Sequence, residues 1–150
     1  MRITICITLL MISTFCFSQL DIVETKEKEE IGKVKKLLTT YMETYKQGDI
    51  YTFRYKDMSY EHVNEWKSFS ITEESFKELY VLILKNFQDP PEDRIMINLK
   101  GKGSITLNYT TNLGITSFFF MHAIDNNADI IGQTTYMNKK DINKLFGVDR

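Results

Sequence analysis

The sequence predicts an α+β fold: a long N-terminal helix, a β-hairpin, a second helix, an antiparallel three- to four-stranded meander and a short C-terminal helix. Three observations predict it. Apolar residues recur at three- and four-residue steps over 31–45 and again over 76–87. They recur at every second position over 51–55 and after Pro91. Turn residues punctuate the second half at Gly101-Lys102-Gly103, at Asn112 and Gly114, and at 125–129 (DNNAD).

The first helix is placed at 24–47. Ile31, Val34, Leu37, Leu38, Tyr41, Met42 and Tyr45 make its apolar stripe, and Gly48 is its stop. Glu24–Lys28 and Glu29–Lys33 add helix-favouring i,i+4 pairs. Tyr51, Phe53 and Tyr55 then alternate as a strand, Asp57-Met58-Ser59 turns, and 62–71 alternates back, with a short helix over 59–66 as the competing reading. Ser70 with Glu73, or Thr72, caps the second helix, whose stripe is Phe76, Leu79, Tyr80, Ile83, Leu84 and Phe87. Asp89-Pro90-Pro91 ends it, because a proline disfavours helical geometry in the residue before it. Ile95, Ile97 and Leu99, then Ile105, Leu107 and Tyr109, alternate as meander strands. Residues 115–124 are apolar on both faces and read as a covered central strand, and 130–137 return as the last strand. Asn138 with Asp141 caps the closing helix, which Ile142, Leu145 and Phe146 dock.

Residues 1–18 have the pattern of a cleaved secretory signal peptide. Met1-Arg2 leads an apolar run from Ile3 to Phe17, and Ser18 marks the cleavage edge before Gln19. The run is short for a spanning helix. Its end, Phe-Cys-Phe-Ser-Gln, resembles the leaders of exported bacterial proteins of the Bacteroidota type. The expectation is a periplasmic or secreted protein whose residues 19–150 form one domain. No transmembrane helix would remain after cleavage. Cys6 and Cys16, the two cysteines of the chain, both fall in the leader. The mature chain would then have no disulfide, thiol nucleophile or thiolate metal site. A net charge of −1 without a basic stripe argues against nucleic acid.

Candidate chemistry is sparse. Glu61, His62 and Glu65 could contribute to a metal site only with ligands from elsewhere, and no HExxH motif accompanies them. Asp125, Asn127 and Asp129 match the opening of a calcium loop. That loop needs Gly at its sixth place and Glu at its twelfth, and Ile130 and Tyr136 stand there. Neither a metal nor another cofactor is expected. His122, in the most apolar strand, could act as a base beside Asp125 or Tyr136. Asn108-Tyr109-Thr110 matches a glycosylation acceptor.

The run from Val34-Lys-Lys-Leu-Leu through Tyr45 to Gly48-Asp49 resembles the opening helix of NTF2-like domains. Those domains continue with a second helix and end in sheet, whereas this chain reads as continuing in strand and ending in a helix, so no function or pocket residue is carried over. The leading functional expectation is a non-enzymatic module that binds a protein or peptide in the periplasm or exterior, through an edge strand or an exposed ring patch of Tyr51, Tyr55, Tyr60 and Trp66. The alternatives are a small-molecule or hydrolase-like pocket of His122, Asp125 and Tyr136, and an inhibitor or immunity-type protein.

Overall fold

Residues 29–47 form strands rather than the expected helix. The computed structural model describes residues 27–59, 64–101, 103–125 and 131–149. In it β1 (Glu29–Lys36) and β2 (Thr39–Gln47) make an antiparallel hairpin, and the predicted α+β arrangement with a long N-terminal helix is replaced by a mostly β architecture. The composition explains the strands. Ile31, Val34, Thr39, Thr40, Tyr41, Thr44 and Tyr45 are β-branched or aromatic and lose side-chain freedom in a helix. The helix-like spacing also has a structural origin. The register slips between Glu30 and Gly32 and between Val34 and Lys35, so Ile31 and Tyr41 are extra residues that break the period of two. Leu37 and Leu38, placed in the helical stripe, are the fully exposed turn between the strands. With no helix there, the likeness to NTF2-like domains has no structural counterpart.

Two strands extend this hairpin: β3 (Ile50–Lys56) pairs with β2, and β4 (Trp66–Thr72) with β3. Helix α1 (Glu73–Gln88) follows directly. Its N-cap is Thr72, whose hydroxyl accepts from Ser75 N, and the helix ends at Asp89 before Pro90. A second meander comprises β5 (Ile95–Asn98), β6 (Ser104–Asn112), β7 (Ile115–Ala123) and β8 (Ile131–Gln133). Helix α2 (Lys139–Leu145) closes the chain behind a reciprocal Asn138–Asp141 capping box. Each sheet has four antiparallel strands in sequence order, β1-β2-β3-β4 and β5-β6-β7-β8. Strand β7 was expected to be covered on both faces. It buries Phe118, Phe120 and His122 on one face and leaves the other only partly covered.

One core serves both sheets. Phe53 and Phe69 of the first meet Phe120 of the second, at ring-centroid distances of 6.2 and 5.4 Å. Helix α1 bridges them at its two ends: Phe76 stacks on Tyr51 at 3.9 Å, and Phe87 contacts Tyr109 and Phe118. Ile142 and Leu145 of α2 are fully buried, and Phe146 lies against Phe53, Phe76 and Tyr80. Helix α2 packs along β1, where Gly32 is required: any Cβ there would collide with the Lys144 carbonyl oxygen. No helix among the described residues is long and apolar enough to cross a membrane.

The expected leader at 1–18, with Cys6 and Cys16, lies outside the described residues. So do Tyr60, Glu61, His62, Lys102, Asn127 and Asp129.

Candidate functional site

Strand alternation decides where the candidate side chains go. In β3 the odd positions face the core, so Tyr51, Phe53 and Tyr55 are buried together and neither tyrosine contributes to a surface patch. Trp66, at the start of β4, lies on the outer face with the Arg54 guanidinium 4.6 Å from its ring centre. The sequence therefore holds these rings close in the chain, while the sheet sends them to opposite faces.

The second predicted group also separates. His122 faces inward and is 3% exposed. Tyr136 sits on the outer face of the second sheet against Phe119, at 4.8 Å, and Asp125 lies beyond the end of β7. The partners His122 does meet come from the other sheet. Its Nδ1 shares a 2.9 Å hydrogen bond with the Tyr55 hydroxyl, and its ring lies edge-on to Phe69. Gly132 of β8 makes room for this junction, since a Cβ there would strike the Tyr55 hydroxyl.

Asp57 completes the buried polar cluster. Its Oδ1 accepts from the N–H groups of Ser59 and Gln133, both at 2.9 Å, and its Oδ2 pairs with Lys67. Burial alone would raise the Asp57 carboxyl, but the Lys67 ammonium and these N–H donors bring it below the ordinary carboxylate range. Met58 N donates to Gln133 O, so the exit of β3 is fastened to β8. The sequence offered one signal for this, an Asp two residues before a Ser, which marks a local turn. The long-range bond to Gln133 had none.

Burial is the main cause that pushes the His122 imidazole down to about 4; Lys67 adds to it and Asp57 opposes it. The unfolded chain takes up that proton near the ordinary 6.5, whereas the native chain refuses it until about 4. His122 therefore leaves stability intact above that ordinary range and erodes it as pH falls toward 4. Urea midpoints measured from pH 7 to pH 4 should fall for the native sequence, and fall less steeply for His122→Asn. Equal slopes would remove His122 as the cause.

An apolar cleft lies elsewhere, beside the first helix. Strands β4 and β5 are edge strands of their respective sheets, and the cleft, of about 420 Å³, opens beside α1. Ile71 of β4, Leu79 and Leu82 of α1, Ile97 of β5 and Ile105 of β6 form its walls. Ser75 and Glu78 supply the polar groups. Among the described residues no strand pairs with the outer edge of β4 or β5.

No protein-family model, curated protein or solved structure matches this chain. The cleft walls carried no distinct signal in the sequence, because an apolar pocket wall has the same alternation as a packed core. Among the described residues no three potential metal ligands of the His, Cys, Asp and Glu types come together.

Proposed function

We propose that this chain is an exported, non-enzymatic binding module that takes up an extended, apolar peptide segment by strand addition. The observation that carries the reading is the cleft between the β4 and β5 edges. Unpaired edge backbone supplies hydrogen bonds to an incoming strand without regard to its sequence. Every second side chain of that strand would point inward, and the walls of Ile71, Leu82 and Ile97 favour apolar ones. Glu78 at the cleft favours a basic or amide neighbour. Packing of His122 against Tyr55 and Phe69 supports binding over hydrolysis, because the imidazole is shielded from a substrate. Export is supported by the 1–18 leader pattern, and would be read as a mature mass beginning at Gln19.

The test is a selection from a displayed library of random peptides. The native chain should enrich peptides with alternating apolar residues, and Leu82→Glu should not. Absence of enrichment by the native chain would refute the reading. The cleft volume also favours a second occupant, a small apolar molecule. An apolar fluorescent dye that binds the native chain but not Leu82→Glu, with no peptide enriched, would assign the cleft to that class.

A further inference from the structure

We infer that the β1–β2 turn is a membrane-docking tip that seats on an anionic lipid bilayer. The turn is two residues long, closed by the Lys36–Thr39 pair, and Leu37 takes φ 55°. That left-handed geometry suits Gly, Asn or Asp, and a leucine there is sterically disfavoured. Leu37 and Leu38 are fully exposed, so the fold recovers nothing from their apolar surface. A leucine at a left-handed position, beside a second leucine that is fully exposed, indicates a use outside the fold.

Charge identifies the surface they meet. Residues 35–41 contain Lys35 and Lys36 and no acid, while Lys33 is paired with Glu30 at 2.6 Å. Among the described residues no acid pairs with Lys35 or with Lys56 of β3. Helix α2 runs alongside β1 with its last turn at Gly32, while Lys36 Nζ reaches the Tyr136 carbonyl just before α2 begins. The exposed Lys139 and Lys140 at the start of α2 therefore lie toward the same end. The acid near them, Asp141, is engaged in the Asn138 cap. On the adjoining outer face the Tyr41 ring stands 6.0 Å from the Lys36 ammonium and 5.8 Å from that of Lys56.

A bilayer with acidic headgroups uses each of these parts. Leucines enter the acyl boundary, lysines meet phosphates, and a tyrosine ring suits the headgroup layer. The other exposed hairpin tip, Leu113-Gly114-Ile115, also sets a leucine at positive φ (52°) and exposes apolar side chains, but it has no lysine collar, so charge is what separates the two tips.

The test uses the chain from Gln19 onward, which contains every described strand, helix and core residue. It is floated with vesicles of phosphatidylglycerol in phosphatidylcholine, and with phosphatidylcholine alone, at low and high salt. Binding is also followed through the fluorescence of Trp66, the single tryptophan. The chain should bind the anionic vesicles, and more weakly at high salt. Leu37→Gly/Leu38→Ser should lower the affinity about tenfold or more. Its urea midpoint should hold or rise, because Gly suits the turn. Lys35→Glu should lower affinity about fivefold or more. The inference is overturned by no flotation, by equal binding to phosphatidylcholine alone, or by undiminished binding of the leucine variant. A native dimer that the leucine variant makes monomeric, with no vesicle binding, would also overturn it and give the tip to a second copy.

Discussion

Asp57→Ala is expected to destabilise the fold by about 3–5 kcal/mol, since removing one partner of a buried ion pair strands the other. Asp57 is 1% exposed and serves three partners at once: the Lys67 ammonium and the N–H groups of Ser59 and Gln133. Alanine leaves a largely buried cation and two donors without their acceptor. The bond to Gln133 is also one of the fastenings between the sheets, so the damage extends beyond the turn. Urea unfolding of four chains separates these contributions: native, Asp57→Ala, Lys67→Met, and the double variant. The double variant should be more stable than Asp57→Ala alone, because it no longer buries an unpaired charge. If it is less stable by the full sum of the single losses, the ion pair is not what makes Asp57 costly to remove.

Phe53→Ala should have a comparable effect, about 3–5 kcal/mol, the usual range for truncating a buried aromatic ring. The ring is fully buried and contacts Phe69, Phe76, Phe120 and Phe146, at centroid distances from 5.0 to 6.2 Å. Those neighbours belong to β4, α1, β7 and the residue that ends α2, so one side chain holds four parts of the core in register. Phe119→Ala is the matched comparison. That ring lies on the outer face of β7 beside Tyr136, and its loss should cost about 1 kcal/mol, as is common for point substitutions. Similar losses at both positions would mean that the outer face is covered more tightly than its exposure indicates.

The parts of this fold that were legible in the sequence are those set by local chemistry. The Asn138–Asp141 box marks the start of α2, and Asp89-Pro90 marks the end of α1. The inward set of β3 follows from simple alternation of Tyr51, Phe53 and Tyr55. The N-terminal hairpin was hidden because two bulges, at Ile31 and Tyr41, shift the alternation, and because its turn carries Leu37-Leu38 where Gly or Asn would have announced it. The candidate groups failed for a different reason. The meeting of His122 with Tyr55 and of Asp57 with Gln133 depends on how one sheet packs on the other, across 67 and 76 residues of chain. Nothing within a window of ten residues encodes that.

The seating of α2 on β1 also bears on the order in which the chain can be completed. The first described strand finds its covering helix at the opposite end of the sequence, where Gly32 meets the Lys144 carbonyl and Ile142 and Leu145 reach the core. A chain leaving the ribosome amino end first presents β1 long before that helix exists. Val34 and Met42 then wait for a partner made much later, and contacts this distant in sequence close slowly. Covering of this face of β1 is thereby tied to Ile142 and Leu145, which are translated long after Val34.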